Sequence, residues 1–171
     1  MTLKRFAYLT LSILLFSCSD TKKETDTSAE SIVEEKVIGV SSYSDSIWKI
    51  VSKDLTDCSN PITVNFDNKI WTYCKQKNDL ELYQVEYVEN NIGFTEKFLL
   101  RDKQLIYAVE WEKRTADLKD DEATWWNCEY IIKDNHVVDH MSLGTGRTEE
   151  ESFDIQDIIN LWNTRKDEFP D

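Results

Sequence analysis

No apolar run in this chain of 171 residues reaches the roughly 20 positions that a membrane-crossing helix needs. The longest, Phe6 to Phe16, is 11 residues and uncharged. Histidine is scarce: His136 and His140 are the only two. On a strand, four positions hold two side chains about 13 Å apart, too far to share one metal ion. The chain has no Gly-x-Ser-x-Gly turn, which excludes hydrolases built on that nucleophile elbow. The stretch Leu143-Gly144-Thr145-Gly146-Arg147 lacks the Lys-Ser/Thr pair of a phosphate loop and the third glycine of a dinucleotide loop. The acids Glu149, Glu150 and Glu151 that follow would repel phosphate. The stretch therefore reads as a flexible connector whose acids favour the start of the next helix. No cofactor or metal is called for by these residues.

Cations are also in short supply. There are 20 Lys and Arg against 33 Asp and Glu, a net charge of −13. So acidic a chain is poorly suited to nucleic acid or to direct attraction of anionic lipid. It is steered toward basic partners.

At the start, Met1-Thr2-Leu3-Lys4-Arg5 is basic and Phe6–Phe16 is apolar, and Leu15-Phe16-Ser17-Cys18 follows. This order resembles the lipobox signal peptide of bacterial lipoproteins. The resemblance covers residues 1–18. It implies removal of residues 1–17, a diacylglycerol on the Cys18 thiol and acylation of the new amino group. Two or more acyl chains give stable anchoring where one does not. By the same analogy Ser19 favours the outer membrane, facing the periplasm or the surface. Processing removes Lys4 and Arg5 and no acid, taking the net charge from −13 to −15.

Residues 18–43 read as the lipidated Cys and a flexible tether, because Ser19 to Glu30 has no large apolar residue to offset chain entropy. Val37-Ile38-Gly39-Val40 is the one apolar patch there, suited to an edge strand or a loose segment. Residues 44–171 remain as a single domain, large enough for its own core.

In that domain Ser44 to Asp57 predicts a helix, capped by Ser44, with Ile47, Trp48, Val51 and Leu55 on one stripe. Period-two alternation then runs through Ile62-Val64-Phe66, Tyr83-Val85-Tyr87, Phe94-Phe98-Leu100 and Trp126-Cys128-Tyr130-Ile132. It is broken by Asp67-Asn68, Asp102-Lys103 and Asp134-Asn135, the polar pairs of hairpin turns. Phe98 to Ile106 lines up with Tyr130 to Val138 at an offset of 32, a weak internal repeat. Phe153 to Thr164 predicts a closing helix with the stripe Ile155, Ile158, Ile159, Trp162 and a cap at Ser152 or Asp154. The fold class is α+β: an antiparallel meander of six or seven strands with one helix before it and one after, packed on the sheet.

A two-residue turn at Asp67-Asn68 puts Cys74 opposite Pro61, three residues from Cys58. That predicts a Cys58–Cys74 disulfide in an exported chain. Cys128 alternates with Trp126 and Tyr130 and reads as a buried small hydrophobe. The same counting puts His140 opposite Glu129, and Cys128 and His140 on opposite faces, against a Cys–His nucleophile. Glu86, Glu110, Glu112 and Glu129 share one mixed face by parity, a carboxylate arrangement that a glycosidase could use. Trp125 is the best candidate for an exposed aromatic, beside Glu129 and His140. Trp125, Glu129, His140, Glu110 and Glu112 thus form the expected binding face.

With no convincing catalytic set, the leading reading is a membrane-anchored, non-catalytic binding module, in its sharper form an inhibitor or immunity protein against a basic secreted enzyme. The rivals are a carboxylate-dependent hydrolase and a structural lipoprotein of an envelope complex.

Overall fold

The computed structural model describes residues 27–54, 58, 60–114 and 125–169, and side chains of the first helix from residue 39 to 52. The lipobox and residues 18–26 lie outside the described residues. Helix α1 (Thr27–Asp54) is followed by strands β1 (Ile62–Phe66), β2 (Lys69–Lys75), β3 (Leu80–Glu89), β4 (Ile92–Arg101), β5 (Gln104–Arg114), β6 (Trp125–Lys133) and β7 (His136–Gly144). A 3-10 turn (Arg147–Glu149) and helix α2 (Asp157–Glu168) complete the chain. The seven strands form one antiparallel sheet in sequence order.

The turns explain the order. Asp67-Asn68, Asn90-Asn91, Asp102-Lys103 and Asp134-Asn135 all hold φ between 50° and 64° at both central positions. That is the twist a two-residue hairpin demands, and Asn and Asp tolerate it better than other non-glycine residues. Asn90-Asn91 joins β3 to β4 and adds to the three turns read from sequence.

The two helices cover opposite faces. Under α2, Ile158 and Ile159 pack with Phe98, Ala108, Trp126, Cys128, Tyr130 and Ile132. Under α1, Ile47 packs with Cys74, Leu82, Leu99, Tyr107, Val109 and Ile131. Burying one such large side chain contributes about 1.5–3 kcal/mol, so each layer is substantial. The Cys58–Cys74 disulfide is formed, with Cα atoms 5.8 Å apart. It pins the chain just after α1 to β2, and a loop of separation 16 gives about 3 kcal/mol of stabilisation by loop entropy.

Helix α1 begins at Thr27, so the helix reaches back through the stretch read as a tether, Val37–Val40 included. Ser44 is not its cap but an interior residue, buried against the sheet with its hydroxyl unpartnered. Helix α2 starts at Asp157 rather than Phe153. Asp154 instead closes the turn before it, accepting from the Gln156 amide at 2.8 Å.

Two bulges reset the parity. Ile106 is the extra residue between the Leu100–Leu105 and Leu99–Tyr107 pairs. Val138 is the extra residue between Ile132–Val137 and Ile131–Asp139. The two differ by 32 positions, the offset of the internal repeat, so the bulge is part of the repeated unit.

Candidate functional site

The bulges redistribute the expected binding face. Glu110 pairs with Glu96 on one side and Cys128 on the other, which puts it on the α2 side. Glu112 follows it there, opposite Phe94 and Trp126. Glu129 pairs with Val109 on the α1 side, and Glu86 lies in the rung of Thr95 and Trp111 on that side. The four acids therefore do not share a face. His140 lies opposite Tyr130, not Glu129, exposed on edge strand β7. That places it on the side of Cys128, contrary to the parity count. Cys128 still offers no nucleophile: it is fully buried, and burial pushes its thiol up to about 11.

On the α2 side two glutamates meet across neighbouring strands. Glu96 and Glu110 are both buried and directly opposed. Each has its own arginine. Arg165 on α2 grips Glu96 with Nε at 2.6 Å and Nη2 at 2.8 Å, and the Tyr87 hydroxyl donates to it at 2.7 Å. Glu110 accepts from the Tyr130 hydroxyl at 2.7 Å and from Arg147. Arg147 also lies 4.0 Å from Glu112 and stacks over Trp126. Burial raises the Glu110 carboxyl above its ordinary value, against the pull of Arg147 and Tyr130. Burial raises Glu112 as well, with Glu110 adding to the push. Glu110, Glu112 and the stacked pair Tyr87–Phe94 line a cleft of about 310 Å³ beside α2.

The connector that delivers Arg147 is packed, not loose. Gly144 has φ of 84°, and a Cβ there would come within 2.1 Å of the Trp125 carbonyl oxygen. At Gly146 a Cβ would meet Trp126 at 2.5 Å. The two glycines let the chain lie against both tryptophans and aim Arg147 into the cleft. Arg147, Arg165, Glu96 and Tyr130 were missed as site residues in the sequence. The repeat aligns the two hairpins but does not mark the bulge that puts Glu110 beside them.

On the α1 side the helix covers only part of the sheet. The uncovered part consists of three rungs. Ile70, Glu86, Thr95, Trp111, Asn127 and Leu143 form one continuous row across six strands. Val88, Gly93, Lys113 and Trp125 form the row on one flank. Gln84, Lys97, Glu129 and Met141 border it on the other, beside the buried Val109 at the edge of the α1 layer. Trp111 is 38% exposed and Trp125 42%, and Ile70, Val88, Met141 and Leu143 are exposed with them. A depression of about 490 Å³ runs over Trp111, Asn127 and Glu129. The Tyr107 hydroxyl donates to Glu129 at 2.5 Å and fixes its carboxylate at the rim. Burial, then that contact, pushes the Tyr107 hydroxyl well above its usual range.

Among the described residues no group of three or more His, Cys, Asp or Glu is placed to hold a metal ion, and no helix is long and apolar enough to cross a membrane. The chain matches no family model, no curated protein and no solved structure.

Proposed function

We propose that this chain is a lipid-anchored, non-catalytic binding module of the bacterial cell envelope, tethered through Cys18, that engages a basic protein through the open part of its α1-side sheet face. The observation that carries the reading is the six large apolar side chains exposed together on that one face, interleaved with polar groups. Large apolar side chains gathered on one exposed face mark an interaction site. Trp111 and Trp125 are the anchors, since tryptophan is enriched among residues that carry binding energy. The net charge of −13 favours a cationic partner, such as a wall-degrading hydrolase.

The test uses the chain from Ser19 onward, which contains every element of the fold, against a panel of basic wall hydrolases. Binding to at least one is expected, with Trp111→Ala/Trp125→Ala weakening it by roughly tenfold or more and leaving the unfolding temperature unchanged. No binding across the panel, or binding indifferent to both tryptophans, overturns the reading. Anchoring is tested separately: Cys18→Ser should move the chain out of the membrane fraction.

One observation favours a second reading, a carboxylate hydrolase: Glu110 and Glu112 both have raised carboxyls beside a cleft. Against it, Glu110 is already engaged by Tyr130 and Arg147. Glycosidase activity abolished by Glu112→Gln alone would favour this second reading over the first.

A further inference from the structure

A cleft among the described residues of this acidic chain carries an excess of cations. It lies at the sheet end that carries the Asp102-Lys103 and Asp134-Asn135 turns, between Tyr43 of α1 and Trp162 of α2, with a volume of about 500 Å³. Arg101, Lys103, Lys133 and Lys166 line it against two acids, Asp102 and Asp134. None of the four cations has a carboxylate within ion-pair distance among the described residues, whereas Lys69, Arg147 and Arg165 each do.

The cations come from separate elements for a structural reason. Arg101 and Lys133 occupy the same place in the two repeated hairpins, each closing the last strand pair before its turn. Each lies two residues beyond a buried α1-side residue, Leu99 and Ile131, so alternation aims both toward α1. Tyr43 packs on that same side. The Lys133 Nζ is 5.3 Å from its ring, and Arg101 and Asp134 act on its hydroxyl in opposite senses, both less than burial does. The Tyr43 hydroxyl donates to the Ile132 carbonyl at 2.6 Å and locks the ring in place. Strand β5 separates the two hairpin cations by two sheet spacings, about 10 Å. Side chains of that length are long enough for both to reach one tetrahedral anion over the β5 start. Lys166 approaches from α2, held by Asn163 at 2.9 Å.

We propose that this cleft binds a phosphate group through Arg101 and Lys133, with Lys103 and Lys166 adding to the positive charge around this sheet end and the ring part of the ligand against Tyr43. A guanidinium fork and several ammonium groups suit a phosphate's oxygens and its charge of up to two. The negative charge of the whole chain does not forbid it. Beyond about 8–10 Å, salt screens the distant carboxylates, and the local excess governs one bound anion. Tyr43 stands 25 positions after Cys18. The phosphate of a lipid headgroup and that of a soluble ligand are therefore both within the site's chemistry.

The test follows backbone amide resonances of the chain from Ser19 during titration with inorganic phosphate at fixed ionic strength. Flotation with phosphatidylglycerol vesicles, against phosphatidylcholine vesicles, runs in parallel. Saturable shifts at Arg101, Lys133 and Tyr43 are expected, with Arg101→Gln/Lys133→Gln weakening the affinity roughly tenfold or more at unchanged unfolding temperature. Saturation with inorganic phosphate but no preference for the anionic vesicle assigns a soluble phosphate. An anionic-vesicle preference lost in the double variant assigns a headgroup. Shifts that stay linear to roughly 50 mM phosphate with no vesicle preference overturn the proposal. So does binding, by either probe, that the double variant retains.

Discussion

Glu110 is a carboxylate placed where its charge is costly: buried, opposite the buried Glu96, with Tyr130 and Arg147 as its partners among the described residues. Its carboxyl is raised above the ordinary value, chiefly by burial. The sign of the pH dependence follows. A group raised on folding holds its proton more tightly in the folded state, so its stabilising contribution is complete below the ordinary glutamate value. It is lost as pH rises through the raised value. Glu110→Gln keeps a partner for Tyr130 and carries no charge to desolvate. Arg147, part-exposed in the parent, then turns to Glu112 and water. The variant should lose that fall in stability as pH rises above about 4.5, and at pH 7 be at least as stable as the parent. Urea unfolding across the pH range measures it; an unchanged slope would show that Glu110 is not the group responsible. Glu96 is the contrasting case. Its bidentate arginine and Tyr87 satisfy it, and breaking such a buried pair leaves a charge with no partner.

Hairpin turns are the elements that set this fold, and one of them is not optimal. Lys103 holds φ of 64° in the β4–β5 turn, where its neighbours in the other two-residue turns are Asn. A lysine has no local hydrogen bond to offset the left-handed cost, and glycine has none to pay. Lys103→Gly should stabilise the chain by about 0.5–1 kcal/mol, read as a shift in urea midpoint at unchanged slope. A loss of stability would mean that the turn is held by contacts of the lysine side chain. The same scale explains what the sequence could and could not show. Period-two alternation and Asp-Asn turns were enough for the meander, and the turn at Asp67-Asn68 was enough for the Cys58–Cys74 bridge. The bulges at Ile106 and Val138 were hidden, because an extra residue leaves both flanking strands alternating and only changes which face each half presents. That single displacement separated Glu129 from Glu110 and moved His140 beside Tyr130. The true extent of α1 was hidden for another reason: residues 27–43 carry too few large apolar residues for a clear stripe, and the reading of chain entropy outweighed helix propensity.

At the scale of the whole molecule, charge and apolar surface are arranged separately. The exposed tryptophans, Trp111 and Trp125, lie on a face whose lining charges nearly balance, with Glu86 and Glu129 against Lys97 and Lys113. The net negative charge therefore comes from the rest of the chain, including Glu149, Glu150 and Glu151 ahead of α2. A long-range field of that kind draws a cationic protein in, while contact with the tryptophans decides how long it stays. The two contributions should separate kinetically. Raising salt from about 0.05 to 0.5 M shortens the Debye length from roughly 14 to 4 Å and should slow association with a basic hydrolase by tenfold or more. Dissociation should change little with salt and accelerate in Trp111→Ala/Trp125→Ala. Surface-immobilised binding kinetics resolve both rates. Association indifferent to salt would mean that the acidity serves solubility alone, and the choice of a basic partner would lose its electrostatic ground even if the tryptophan face still binds.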